Sequence, residues 1–292
     1  VRDSILHRPV HDYDITTSAT PAEVMEVFAD KRIVETGLKH GTVTIMIDGE
    51  AYECTTYRID GDYADGRHPS EVTFTSDLEE DLKRRDFTIN AMAYNDEVGL
   101  VDPFNGLRDI KKQIIRCVGD PKERFSEDAL RILRAIRFSS QLDFVIEPNT
   151  SFYVSKMCEK LENISMERIS SEFCKIVMSS NFCVQMALYG DDVFSQIIPE
   201  IKDMIKFPQN NPYHIYDVYG HTLHATEAYD FNSENDLNPK DLITALAVFF
   251  HDIGKPHCYQ DDEDGVRHFK GHGRVSADMT DEIMKRLRFD ND

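Results

Sequence analysis

Asp12 and Asp14 stand one residue apart, and that spacing restricts the fold around them. Both carboxylates share a side of the chain only on a β-strand, where side chains alternate with period two. Two like charges held together repel unless a cation lies between them. Mg²⁺ suits such oxygen ligands and leaves room for substrate phosphates. Glu53 lies mid-strand in Tyr52-Glu53-Cys54 and becomes a third ligand if its strand adjoins the first. Three such carboxylates would hold the attacking and leaving oxygens of an in-line displacement. Taken singly, Asp-x-Asp is as readily a solvated acidic turn, and Glu53 an exposed strand residue.

The neighbouring sequence supports a small mixed sheet. Gly41 to Asp48 alternates and is β-branched, Gly49-Glu50 reads as a turn, and Ala51 to Arg58 alternates again. That pattern predicts a β-hairpin. Pro21 to Asp30 reads as a helix with Thr20 as cap and Glu23 at the third position. Ile59 to Asp77, with Gly61, Gly66 and Pro69, reads as a long loop of the kind that is often functional. From Ser126 the pattern turns helical, continuing through Ser151–Lys160 and Glu167–Ser180. Pro208 to Pro212 marks a linker before helices that hold His221, His224 and Asp241 to Asp252. A chain of 292 residues suggests two or three domains.

Composition sets limits on partners. The formal net charge of −20 argues against a simple nucleic-acid binder, whose affinity needs a basic surface. Distribution moderates this, because Asn105 to Arg137 carries nine Lys/Arg against five Asp/Glu. A basic stripe on an acidic body is compatible with RNA. The longest apolar run, Ile243 to Phe250 interrupted by Thr244, suits a buried helix and not a membrane span. No signal peptide is evident, and six scattered cysteines without a C-x-x-C pair suggest reduced thiols in the cytoplasm. The chain opens at Val1 with no initiator methionine, so a fragment is expected.

Three further groups carry chemistry. Arg84-Arg85-Asp86 is either a surface ion pair or a phosphate clamp, since guanidinium matches phosphate bidentately. Glu127-Asp128-x-x-Arg131-x-x-Arg134-x-x-Arg137, with Ser126 as N-cap, is at its plainest an amphipathic helix with an Asp128–Arg131 pair. Alternatively, an Asp acceptor beside an Arg donor accepts cytosine and adenine, which present an amino group beside a ring nitrogen, and rejects uracil and guanine. His221, His251 and Asp252 suit a divalent transition metal, or else cap a helix end; His224, His257, His268 and His272 lie near in sequence.

In order, Asp12-x-Asp14, Arg84-Arg85-Asp86 with Asn90-Ala91, Asp102-Pro103-Phe104-x-Gly106, Glu127-Asp128-x-x-Arg131 and Glu167-Arg168-x-x-x-Glu172 resemble the class II tRNA nucleotidyltransferases. These are the CCA-adding enzymes, close relatives of bacterial poly(A) polymerases. The resemblance covers about residues 1 to 205, and the C-terminal part resembles an HD domain. It implies an α+β protein: a DNA polymerase β-like nucleotidyltransferase head (1–118), an all-α neck and body (119–207) and a C-terminally truncated HD domain (208–292). By the resemblance Asp12 and Asp14 bind Mg²⁺, Glu53 assists the tRNA 3′-hydroxyl, and Arg2 and Arg85 contact the nucleotide. Asp128 and Arg131 select CTP and then ATP, with Arg134 and Arg137 nearby, while His221, His251 and Asp252 form the HD metal site. The loop Ile59–Asp77 corresponds to the family's flexible loop. The family's Gly-Gly pair before Val-Arg-Asp and the HD domain's distal Asp fall outside Val1–Asp292.

The implied activity is CCA addition to tRNA, with CTP and ATP as substrates. A-adding or poly(A)-adding activity, an HD-type metal phosphohydrolase with an idle head, and a non-catalytic RNA-binding module are the rivals. No membrane partner is expected, and the oligomeric state is open.

Overall fold

The computed structural model describes residues 1–10, 13–35, 37–61, 71–235 and 241–289, without the side chains of 231–235. The chain forms two compact units, Val1–Asp128 and Ala129–Asp292. About half of it is helical, with a small mixed sheet, as an α+β fold requires. Among the described residues no helix is long and apolar enough to cross a membrane.

In the first unit, α1 (Arg2–Ile5) precedes strand β1 (Asp14–Thr17) and helix α2 (Pro21–Val27). Thr20 and Glu23 form the expected capping box, but the helix ends at Val27, three residues short of Asp30. Strands β2 (Arg32–Val34), β3 (Thr42–Ile47) and β4 (Glu50–Thr56) follow. The hairpin β3–β4 is antiparallel, and its turn lies at Asp48-Gly49, both with positive φ (52° and 90°), one residue earlier than the sequence suggests. Such a turn matches the right-handed strand twist. The sheet order is β1-β4-β3-β2, with β1 parallel to β4. Val43, Ile45 and Cys54 bury one face against Val24 of α2. The opposite face therefore belongs to Asp14, Thr42, Thr44, Glu53 and Thr55.

The stretch read as one long loop is in part a hairpin. β5 (Arg58–Asp60) and β6 (Val72–Phe74) pair antiparallel, so backbone hydrogen bonding ties the two ends together. The residues from 62 to 70 lie outside the described ones. Helix α3 (Leu78–Lys83), capped by Asp77, leads into the Arg84-Arg85-Asp86 segment. Strands β7 (Ala93–Asn95) and β8 (Gly99–Val101) form a small hairpin before α4 (Gly106–Lys112). The Asp102 carboxylate accepts from the Gly106 and Leu107 N–H groups at 2.6 and 2.9 Å, starting α4. A Cβ on Gly106 would sit 2.3 Å from the Thr88 carbonyl oxygen, so this approach requires glycine.

Helix α5 (Pro121–Glu127) contains Ser126, which is therefore not the cap of the next helix. Asp120 caps α5 instead, through its bond from the Lys122 N–H. Asp128 follows α5 in extended conformation (φ −145°, ψ 105°). Asp128 thus lies ahead of the helix that carries Arg131, which corrects the reading of one continuous helix through both.

The second unit begins with α6 (Leu130–Leu142), whose Ile132, Leu133, Ala135 and Ile136 are wholly buried. Helices α7 (Pro148–Lys156), α8 (Met166–Val177) and α9 (Phe182–Tyr189) follow, then short α10 (Ser195–Ile197) and α11 (Ile201–Met204). Helix α7 starts three residues before the expected Ser151, at a proline preceded by the capping Glu147, and stops at Lys156. Helices α12 (Val218–Asn235), α13 (Leu242–Phe250) and α14 (His272–Arg286) complete the unit. Phe182 contacts Phe173 and Phe249 with ring centroids at 6.5 and 5.2 Å, joining α8, α9 and α13 in one core.

Candidate functional site

Strand register sets the first group. Asp14 of β1 lies directly opposite Glu53 of β4, and Glu53 opposite Thr44 of β3. Neighbouring parallel strands run about 4.8 Å apart, so the two carboxylates stand side by side. Both are exposed, which fits groups that meet a ligand. Asp12 lies outside the described residues. A donor set of carboxylate oxygens alone fits a hard cation such as Mg²⁺.

Asp14 also lines a polar depression with Ile15, Thr42, Thr55, Arg58, Arg84 and Arg85. Thr42 and Thr55 are hydrogen-bonded to each other at 3.0 Å, and the Thr16 hydroxyl donates to the Thr55 carbonyl at 3.2 Å. The arginines are fixed by a residue that the sequence reading did not single out. Asp81, on α3 and fully buried, accepts from Arg84 Nε and Nη2 at 3.0 and 2.7 Å and from Arg85 Nη2 at 3.3 Å. Its Oδ1 also accepts from the Arg58 backbone N–H at 3.3 Å. Burial pushes its pKa up, but the Arg84 and Arg85 charges prevail and hold it below the usual carboxylate range. The spacing was a usable signal: Asp81 precedes the arginines by three and four residues, one helical turn. The acidic run Asp77–Asp81 hid it.

Asp86 orients its own loop. Its Oδ1 accepts from the Phe87 N–H at 2.8 Å and from Asn90 Nδ2 at 3.0 Å. Asn90 Oδ1 in turn accepts from Arg2 Nη1 at 2.6 Å, while Asp3 takes the rest of the Arg2 fork at 3.0 and 2.8 Å. Arg2 is therefore anchored to the Arg84–Ala91 motif through Asn90. Thr88 donates to Asp109 at 2.8 Å, and Arg116 pairs with the same carboxylate at 3.0 Å.

Arg131, Arg134 and Arg137 recur every third position of α6 and are all half-buried between fully buried apolar residues. Arg137 is committed: its Nε donates to Glu172 of α8 at 2.6 Å and its Nη1 to Gln141 at 3.2 Å. It also lies 4.1 Å above the Phe138 ring. The second glutamate of the Glu167…Glu172 motif therefore holds α6. Glu172→Ala should destabilise the protein by about 3 kcal/mol, because an arginine whose side chain is 12 % exposed loses its counter-charge. Urea unfolding measures this, and a loss under about 1 kcal/mol would remove the pair from the account.

In the second unit, His221 of α12 and His251-Asp252 at the end of α13 come together, with one ligand atom from each within 4.8 Å of the others. His221 Nε2 and His251 Nε2 lie 3.5 and 3.1 Å from Asp252 Oδ2. His251 Nδ1 bonds the Val248 carbonyl at 2.7 Å; a carbonyl only accepts, so Nδ1 carries a proton and Nε2 is the nitrogen turned to Asp252. His272, likewise held through Nδ1 by Phe269 O at 2.8 Å, places Nε2 at 3.5 Å from Asp252 Oδ1. His214 stacks edge-on against His221 at 5.2 Å. The other sequence neighbours go elsewhere: His224 to Tyr216 and Glu227, His257 to Asp203, His268 to Asp262.

Lys255 Nζ is 2.7 Å from Asp252 Oδ2 and donates to Gln209 Oε1 at 2.8 Å. Burial opposes ionisation of Asp252, yet the hydrogen bonds from His251 and Lys255 bring its pKa down to about 2. Burial pulls the His251 pKa down, but its bond to Asp252 prevails and raises it; burial lowers that of His221. An ionised carboxylate with imidazole nitrogens around it fits a divalent transition metal.

Residues 1–116 match the model of the Poly A polymerase head domain, 143–205 that of the probable RNA and SrmB-binding site of polymerase A, and 213–292 that of the HD domain. The chain is 48% identical over 213 residues to the CCA-adding enzyme of Lactobacillus helveticus, covering 72% of this chain and 53% of that enzyme. Identity to the CCA-adding enzyme of Enterococcus faecalis is 46% over 203 residues, covering 70% and 50%. The crystal structure of the Bacillus stearothermophilus CCA-adding enzyme in complex with CTP superimposes with a TM-score of 0.63 at 35% identity, over 79% of this chain and 56% of that one. The Thermotoga maritima CCA-adding enzyme complexed with tRNA gives a TM-score of 0.66 at 25% identity, over 99% and 60%. The chain thus spans about half the length of the curated relatives it matches.

Proposed function

We propose that this chain, which belongs to the family of CCA-adding enzymes and poly(A) polymerases with an HD domain, adds C, C and A to the 3′ end of tRNA from CTP and ATP. The observation that carries the reading is the Asp14–Glu53 pair, side by side on parallel strands, with Asp14 and Arg85 lining one depression. The tRNA 3′-oxygen bonds to the α-phosphorus as the bond to pyrophosphate breaks. Glu53 assists the 3′-hydroxyl as acceptor of its proton. Asp14, together with Asp12, would hold Mg²⁺, which supplies charge neutralisation at the triphosphate. Arg85, and Arg2 held by Asn90, would bind the nucleotide's phosphates.

Asp128 and Arg131 would read the base edge, with Arg134 one turn further along α6. The ion pair with Glu172 favours a positioning role for Arg137. We divide the labour as nucleotidyl transfer in 1–118, nucleotide selection and RNA binding in 119–207, and the HD domain in 208–292. All six cysteines are free, which fits a reducing cytoplasmic setting.

The test offers the protein, expressed over its whole reading frame, a tRNA ending at the discriminator base, with CTP and ATP singly and together. Stepwise extension by C, C and A is expected. No extension under any combination sinks the proposal. A alone, added only to tRNA ending in CC, would assign A-adding activity, and long A tails a poly(A) polymerase.

The histidine cluster supports a second reading, a divalent-metal phosphohydrolase site in the HD domain. Asp252→Ala is then expected to weaken binding of Mn²⁺ or Ni²⁺ at least about 100-fold in calorimetric titration, since even outer-shell changes cost 10–100-fold. Unchanged affinity would remove this site. Activity that survives Asp14→Asn but not Asp252→Ala would give the main chemistry to this site.

A further inference from the structure

We infer that Asp81 is a positioning residue of the transfer site, locking Arg84 into the wall of the depression and setting the Arg85 guanidinium for the nucleotide's triphosphate. The inference rests on the reading of the head as a nucleotidyltransferase and adds a division of labour that the Arg-Arg motif does not reveal. Arg84 is shared between two carboxylates: Asp81 at 2.7 Å and Asp60 at 3.5 Å. Both acids have nearly buried side chains, at 0% and 5% exposure, and Arg84 itself is 17% exposed. Its charge is spent inside the protein.

Arg85 differs. It makes one longer contact, 3.3 Å to Asp81 Oδ2, and its side chain is 29% exposed. Its Nε is buried and has no hydrogen-bond partner among the described residues. An unpaired guanidinium donor is costly, and Arg85 lines the depression, where a bound anion would offer its side chain acceptors. Asp81 thereby fixes one edge of the Arg85 fork and leaves the other donors for a ligand. The same carboxylate accepts the Arg58 backbone N–H, so it also holds β5 at the rim. Losing half of its acceptors would free Arg85 to sample other rotamers, lowering affinity for the triphosphate without touching the carboxylates that perform the transfer.

A double-mutant cycle on the whole protein tests this with Asp81→Asn, Arg85→Gln and the pair. Each single change is expected to raise the nucleotide KM about tenfold, the size of one charge-assisted contact of about 1.4 kcal/mol, with kcat changed less than about threefold. The pair should be no worse than Arg85→Gln alone, because Asp81 acts through Arg85. A KM within about twofold of wild type for Asp81→Asn, or effects that multiply in the pair, overturns the inference.

Asp81→Glu, whose extra methylene shifts the carboxylate, replaces the asparagine variant if that does not fold. It is held to the same limits, and failure of both to fold makes Asp81 a structural residue only and overturns the inference too. Equilibrium binding of CTP and ATP is measured alongside. Wild-type protein that binds neither overturns the transferase reading and this inference together. Wild-type protein that extends tRNA while Asp81→Asn binds nucleotide normally overturns the inference alone.

Discussion

Asp14→Asn should abolish nucleotide addition, lowering kcat by about 10³-fold or more while leaving the fold intact. A metal held by Asp14 would stabilise several kcal/mol of developing charge, and about 4 kcal/mol corresponds to 10³ in rate. Asparagine keeps the shape and removes the anionic oxygen. Because Asp14 is exposed and no hydrogen bond to its side chain is needed for the β1–β4 ladder, stability should change by no more than about 0.5 kcal/mol. Glu53→Gln should cost about 10² in kcat with little effect on nucleotide KM, as expected for a group that serves the hydroxyl and not the triphosphate. Single-turnover extension of a tRNA primer measures both. An Asp14→Asn protein that keeps more than about a tenth of wild-type kcat would refute the metal role.

What made this part of the site legible was periodicity. Alternation and β-branching marked β3 and β4, and a run of that kind has few other folds available. Once Glu53 sits mid-strand, a parallel neighbour carrying Asp14 can bring the acids together in only a narrow set of registers; the observed one pairs them directly. Periodicity fails where burial decides. Asp81 reads as one more acid in a solvated run, and nothing local says that α3 turns that face inward. Ser126 reads as a cap because serine before an apolar run usually is one. The proline at 121 and the Asp120 cap start a helix earlier, so Ser126 falls inside α5 and the chain breaks at Asp128 instead. The pairing of β5 with β6 was hidden by the same limit: three-residue strands carry too few side chains to show a period.

Histidines show the complementary case. His251 and Asp252 are adjacent, and residue type alone marks His221 as their partner. His272 joins from α14, twenty residues on, through a carbonyl bond that aims its ring. His224 is only three residues from His221 yet stacks on Tyr216. Separation along the chain does not rank such candidates; the helix face does.

Asp128→Ala and Arg131→Ala should erode the choice of base far more than the rate of transfer. Asp128 lies in the extended break between α5 and α6, with its backbone N–H only 3.4 Å from the Arg124 carbonyl, and Arg131 lies in the first turn of α6. The two residues thus belong to different local structures, an extended residue and the first turn of a helix. An Asp acceptor facing the exocyclic amino group is satisfied by cytosine or adenine. Against uracil or guanine it meets a carbonyl, and two acceptors repel. Each such polar match discriminates by about 1–3 kcal/mol, so losing Asp128 should lower the kcat/KM ratio of CTP over UTP by about 10- to 100-fold. Arg131→Ala should weaken CTP and ATP together, because both present a ring nitrogen to its N–H groups. Competition assays with paired nucleotides read the ratio directly. If Asp128→Ala preserves the CTP preference while Asp14→Asn removes activity, base choice lies with other residues, and the transfer chemistry stands without it.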